Sequence, residues 1–358
     1  MRSSRQNNKL SLVALLLGCM LPCLSGSCAA LSFDDSEIKH ISYPDWFAEH
    51  PFSDLADELS SAQSGGKQGL MVLFTTEGCS YCDRFIRESL GELELASLVQ
   101  QHFASVGMEI FDDTEMTDPR GVPMTVRQFA DREGADFSPT LLFYSHDGER
   151  ILRVAGYQSP ARFRLILAYL TGEHFRTESL GDYFARHAEA EKQPAAHSSA
   201  GLRPDPLFGK PPYALDRSRF RASQPLLVIF EQTDCPECED FHTAVLAARE
   251  VREVLKRFEI VRLDAADTKT PVIAPDGSRV TPALWFMQAA FTRAPALAFF
   301  DEQGSLVLKT DALVLRQRMM NSLFYVLERA YEKGWSYQRF ARSRAIERRQ
   351  KQPDQSAD

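Results

Sequence analysis

The chain has 358 residues, of which 44% are hydrophobic, 25% charged and 10% aromatic. This excludes a disordered or collagen-like chain and allows about two globular domains. Lys and Arg number 41 against 49 Asp and Glu, a net charge of −8, and that acidic balance argues against a nucleic-acid binder. After residue 30 no apolar run approaches the roughly 20 residues that a membrane span requires.

Residues 1–30 read as an address. Arg2, Arg5 and Lys9 precede an apolar stretch from Leu10 to Leu21, Pro22 breaks it, and Ser25, Gly26, Ser27, Ala29 and Ala30 follow. This is the layout of a bacterial secretory signal, so export to the periplasm is expected. Ser27-Cys28-Ala29 offers the small-x-small cleavage pattern of a soluble product. Leu16-Leu17-Gly18-Cys19 resembles a lipobox, which would place a lipid on Cys19 and hold the protein at the membrane. Cleavage after Ala29 or Ala30 would remove Cys19, Cys23 and Cys28 and leave only paired cysteines, which favours soluble release.

A first domain is expected over 31–190. Leu70 to Phe74 is a continuous apolar run, the pattern of a strand buried on both faces. A short loop leads to Cys79-Ser80-Tyr81-Cys82, and Phe85, Leu90, Leu93 and Leu98 then recur at helical spacing. A second strand is expected from Phe103 to Ile110, then a polar loop, a helix around Val126 to Ala130, and Ser138-Pro139. Two strands meet at Asp147-Gly148, a hairpin signal, and a helix from Pro160 to Leu170 closes the unit. A linker is expected over 191–215, rich in Ser and in Pro194, Pro204, Pro206, Pro211 and Pro212.

A second domain, expected over 216–340, repeats the first. A shift of 156 residues places Cys79 on Cys235, Cys82 on Cys238, Phe74 on Phe230, Pro139 on Pro295 and Gly148 on Gly304. Its predicted order is a strand at Leu226–Phe230, Cys235-Pro236-Glu237-Cys238, a helix carrying Phe241, Val245, Leu246 and Val254, and a strand at Phe258–Leu263. A helix at Leu284–Ala290, Ala294-Pro295, a hairpin at Gln303-Gly304 and a helix at Leu313–Tyr331 follow. Met319, Met320, Phe324 and Tyr325 read as a core face. A basic, polar tail over 341–358 continues from Arg339; a solvated helix is the plainer reading, a membrane-surface or acidic-partner role the other.

Two C-x-x-C pairs have three readings. Zinc ribbons place two such pairs about 15–20 residues apart, whereas Cys82 and Cys235 are 153 apart with no neighbouring ligand to complete a site. A structural disulfide across two residues constrains the unfolded chain little. Redox dithiols are the third reading, and their context supports it.

A strand, a C-x-x-C at a helix start and a distant proline before a hairpin resemble the thioredoxin superfamily over residues 65–175 and again over 220–335. The 57 residues from Cys82 to Pro139, and from Cys238 to Pro295, are similar to periplasmic SoxW-like thioredoxins. The resemblance implies an α/β chain of two tandem thioredoxin-like domains, each a mixed β-sheet flanked by helices. It implies that Pro139 and Pro295 are cis and lie against the dithiols, and that the backbones of Ser138 and Ala294 pair with an extended substrate segment. One departure is chemical. Many thioredoxins carry a buried Asp six residues before the first Cys; here Leu73 and Ile229 stand there, so neither half has that internal base.

The thiolate attacks a disulfide, and a helix N-terminus favours the anion. Cys79 and Cys235 are therefore the expected nucleophiles, with Cys82 and Cys238 resolving the mixed disulfide. Asp234 and Glu237 would raise the pKa of Cys235 and make the second pair the stronger reductant, unless water screens them. Glu77 would act more weakly on Cys79. His242 is either a proton shuttle or a plain helix histidine. The expected function is an exported thiol–disulfide oxidoreductase that exchanges disulfides with protein partners, is recharged by another redox protein, and uses no metal or organic cofactor. A disulfide isomerase or chaperone, or a scaffold holding Cu(I) or zinc on the C-x-x-C pairs, are the alternatives.

Overall fold

A computed structural model describes residues 33–48, 54–135, 137–191, 202, 205–233 and 235–351. The expected signal with Cys19, Cys23 and Cys28, much of the linker, and Asp234 lie outside the described residues. The described residues from 34 to 351 form one compact unit.

The first half runs α1 (Leu55–Ser64), β1 (Gly69–Thr75), α2 (Ser80–Arg84), α3 (Leu93–His102), β2 (Phe103–Glu109), β3 (Glu115–Thr117), β4 (Pro123–Thr125) and α4 (Val126–Glu133). It continues through β5 (Thr140–Tyr144), β6 (Arg150–Ala155), α5 (Pro160–Thr171) and α6 (Leu180–Glu191). The second runs β7 (Leu226–Glu231), α7 (Pro236–Phe241), α8 (Arg249–Leu255), β8 (Glu259–Asp264), β9 (Val272–Ile273), β10 (Arg279–Val280) and α9 (Pro282–Gln288). Then come β11 (Ala296–Phe300), β12 (Leu306–Thr310), α10 (Arg316–Leu327) and α11 (Tyr337–Lys351).

The two four-stranded sheets have one design. Their orders are β2-β1-β5-β6 and β12-β11-β7-β8. In each, the strand before the dithiol pairs in parallel with the next strand and antiparallel with the hairpin that follows the proline. The apolar runs form the inner strands because both faces are covered: every residue of β1 and β7 is buried. Phe230 packs against Trp285, Phe286 and Phe291, and burying such a ring contributes about 3 kcal/mol.

Local sequence fixes the ends. Thr125 and Gln128 form a reciprocal capping box on α4, and Thr281, its counterpart 156 residues on, caps α9. Gly148 and Gly304 turn the hairpins with φ of 76° and 85°, in the left-handed region that glycine reaches without strain. After each C-x-x-C the helix widens into a π turn, Phe85–Ser89 and His242–Leu246. The polar loops beyond the second strands fold into two-residue and three-residue ribbons, β9–β10 and β3–β4.

The two halves pack directly on each other. Phe137 of the first half joins the apolar cluster of the second and stacks on Tyr337 at 4.7 Å between ring centres. Gly156, after β6, approaches Ala312, after β12, so closely that a β-carbon at 156 would collide with the Ala312 side chain. These two positions are themselves 156 apart, so matching loops of the repeat meet. Phe208 and Leu215, from the described end of the linker span, are buried against the second sheet.

Candidate functional site

Both dithiols are built alike. Cys79 and Cys235 leave the strand in extended conformation and cap the helix that follows, each Sγ accepting the N–H of Cys82 or Cys238 at 3.1 Å. Each pair is disulfide-bonded, with Cα atoms 5.3 and 5.2 Å apart. Cys79 and Cys235 are partly exposed while Cys82 and Cys238 are buried. One sulfur of each pair thus faces an incoming group, and it sits where unpaired helix N–H groups favour a thiolate.

The Ser138–Pro139 and Ala294–Pro295 peptide bonds are cis. Sheet register brings them to the dithiol end: Thr140 pairs with Phe74 and Ala296 with Phe230, each partner five residues before a first cysteine. Ser138 borders the same cavity as Cys79.

The surroundings of the two sites differ. At the first, Ser80 and Tyr81 are buried. The Tyr81 hydroxyl donates to the Asp35 carboxylate at 2.8 Å and accepts the N–H of Leu315 at 3.0 Å. Asp35 also takes the N–H groups of Gln317 and Arg318 at 2.9 Å, so a residue ahead of α1 caps α10 of the second domain. The Arg318 guanidinium lies 3.5 Å from the Tyr81 ring centre and donates to the Ser138 carbonyl at 2.8 Å. Burial pushes the Tyr81 phenol well above its ordinary range.

At the second site Pro236 and Glu237 are exposed. Arg162, from α5, donates to Gln158 at 3.0 Å and Thr292 at 3.4 Å, with its guanidinium 3.9 Å from the centre of the Phe184 ring. Arg293, two residues before Pro295, donates to the Asp311 carbonyl, and its Nη2 is buried without a partner among the described residues. Burial lowers the pKa of both guanidiniums, while Asp311 and Glu237 act to raise it. Arg162 and Arg318 are 156 apart, as are Tyr81 and Glu237, so each domain places the same arginine near the other domain's C-x-x-C dipeptide. That spacing was the signal in the sequence that would have found them.

Leu73 and Ile229, at the positions of the expected base, are core residues with no exposure. The second domain instead holds a buried carboxylate, Glu231 at the end of β7, against His242 at 2.8 Å and Arg262 at 3.4 Å. His242 is thereby fixed by a hydrogen-bond partner. Its counterpart in the first domain is Ile86, and Thr75, the match of Glu231, hydrogen-bonds Tyr43 at 2.6 Å.

The basic helix α11 lies on the first dithiol's surround: Ala341, Arg342, Ala345 and Arg348 border the Cys79 cavity, and Arg342 reaches Glu109 at 3.4 Å. Met319 and Tyr325 are core. Among the described residues no three His, Cys, Asp or Glu side chains converge as a metal site, and no helix is long and apolar enough to cross a membrane.

Residues 55–171 match a family model described as a thioredoxin-like domain, and residues 214–289 match a second model described as thioredoxin-like. A search of curated proteins finds no match. Among solved structures, a thioredoxin-fold protein from Helicobacter pylori is 19% identical, with 41% of this chain and 94% of that one covered and a TM-score of 0.33. A thioredoxin from Thermus thermophilus is 23% identical, covering 34% and 85%, with a TM-score of 0.27. The C-terminal domain of DsbD from Neisseria meningitidis is 13% identical, covering 29% and 81%, with a TM-score of 0.23.

Proposed function

The chain is a tandem of two thioredoxin-like domains, and from that premise we propose that it is an exported enzyme exchanging disulfides with protein partners through both dithiols. One observation carries this reading. In each domain a partly exposed cysteine caps a helix and is disulfide-bonded to a buried cysteine one turn on. Cys79 and Cys235 attack, Cys82 and Cys238 resolve, and another redox protein recharges the pair. The exposed Pro236 and Glu237 support the second dithiol as the one that meets folded partners. The Ser138 and Ala294 backbones are the proposed contacts for a substrate strand.

Trapping tests the roles. Cys82→Ser and Cys238→Ser should accumulate mixed disulfides with partners, while Cys79→Ser and Cys235→Ser should trap nothing and lose exchange in their own half. Trapping by Cys79→Ser and not by Cys82→Ser would reverse the assignment. Metal analysis of the purified chain separates the scaffold alternative, which requires stoichiometric Cu(I) or zinc on the reduced cysteines.

A further inference from the structure

We propose that Arg318, a residue of the second domain, sets what the first dithiol prefers to react with: it hinders polypeptide disulfides at the Cys79 site, so that they react there more slowly than low-molecular-weight ones. This rests on the redox reading above and divides that reaction between the two sites.

The C-x-x-C dipeptides are the starting observation. Ser80 and Tyr81 are 3% and 4% exposed although they flank the attacking sulfur, whereas Pro236 and Glu237 face solvent. Helices α10 and α11 cover the first pair. Arg318 is itself 6% exposed, covers the Tyr81 ring and occupies the Ser138 carbonyl, the group at which a substrate strand is expected to pair. Tyr337 closes the next position by stacking on Phe137. Asp35 holds the cover from the opposite side through two α10 amides and the Tyr81 hydroxyl.

What remains beside Cys79 is a cavity of about 80 Å³, bordered by Asp35, Glu77, Tyr81, Ser138 and Arg318. On the same measure a water molecule needs about 10–15 Å³, and pockets for larger ligands start near 300 Å³. The space fits a sulfur with a short substituent. A polypeptide segment enters only after α10 moves away.

The reaction balances within the dithiol. The Cys79 thiolate attacks one sulfur of a small disulfide; the S–S bond breaks and one thiolate leaves, taking a proton from water. The Cys82 thiolate then attacks the Cys79 sulfur, the second thiolate leaves, and the Cys79–Cys82 disulfide closes. Two electrons pass to the small disulfide. A low-molecular-weight dithiol restores the site.

The test uses the full chain with Cys235→Ser and Cys238→Ser, its first dithiol reduced, in single-turnover reactions with hydroxyethyl disulfide and with insulin. Hydroxyethyl disulfide should react readily and insulin at least about tenfold more slowly. Adding Arg318→Ala should raise the insulin rate about tenfold, the scale of one lost charge-assisted hydrogen bond, and change the hydroxyethyl disulfide rate less than about threefold. Asp35→Ala, which frees α10 from the other side, should act in the same direction, and circular dichroism checks that each variant is folded. Comparable rates for the two disulfides in the parent overturn the proposal, as does a parallel rise of both rates in the two variants. Reaction with neither disulfide in any variant would refute the redox reading itself.

Discussion

Tyr81→Phe isolates one hydrogen-bonding group in the junction between the domains. The ring, and with it the contact to Arg318, is kept; only the hydroxyl is lost. That hydroxyl donates to the Asp35 carboxylate at 2.8 Å and accepts the Leu315 N–H at 3.0 Å, in a site where Tyr81 is 4% exposed. The bond to the carboxylate is charge-assisted, worth about 1.5–3 kcal/mol, and the stranded Leu315 N–H costs about 1–3 kcal/mol. Asp35 keeps its two α10 amides, which offsets part of the loss. A net weakening of the α10 contact by about 2 kcal/mol follows, or roughly 30-fold in a local opening equilibrium. Amide hydrogen exchange reads it directly: the amides of Leu315, Gln317 and Arg318 should exchange roughly 30-fold faster, while those of β1 and β7 keep their protection. Unchanged exchange across 315–318 would refute the inference that the Tyr81 hydroxyl ties the two domains together.

Three further outcomes are expected. The Cys235–Cys238 pair should be the more reducing, because the exposed Glu237 flanks it and opposes the charge of Arg162 and Arg293, while the buried Ser80 and Tyr81 between Cys79 and Cys82 bring no negative charge. Arg162→Gln, a change in the first domain, should make the second pair more reducing still, about 30 mV for each unit by which the Cys235 thiol pKa rises; glutathione titration of variants with one pair changed to Ser decides both. Tyr81 and Tyr337 are held neutral in the native state by burial, so each keeps a proton that the unfolded chain releases above about pH 10. Stability should therefore fall as pH rises beyond that point, by up to about 1.4 kcal/mol per pH unit for each tyrosine, and a urea midpoint unchanged between pH 9 and 11 would contradict it. Intact mass of protein from its native host should show residues 1–29 or so removed, or a lipid on Cys19; a retained Met1 would sink the export proposal.

The repeat was legible because it rests on residues with no substitute: cysteines that need a helix start, prolines before hairpins, and strands apolar along their whole length. β1 and β7 could be placed from Leu70–Phe74 and Leu226–Phe230 because sheets covered on both faces leave a continuous signal. The domain junction was not legible. Asp35 meets α10 some 280 residues later in the chain, and single polar residues such as Asp35 and Arg318 carry no periodicity. The basic helix α11 reads as a solvated end, yet Tyr337 and Phe340 are buried and six of its residues border the Cys79 cavity. Glu231 carries no sequence signal, because a lone glutamate at a strand end looks like a surface residue until His242 and Arg262 are found against it. The π turns and the short ribbons β3–β4 and β9–β10 left no pattern strong enough to read.

The central claim is that the chain holds two redox-active pairs, each closed within its own domain. The most direct test equilibrates the full chain across dithiothreitol redox buffers, alkylates the free thiols and maps the modified peptides by mass spectrometry. Two transitions should appear, Cys79 with Cys82 and Cys235 with Cys238, each fitting a two-electron couple. Cysteines that stay reduced under all oxidising buffers, or that pair across the two motifs, would contradict the account.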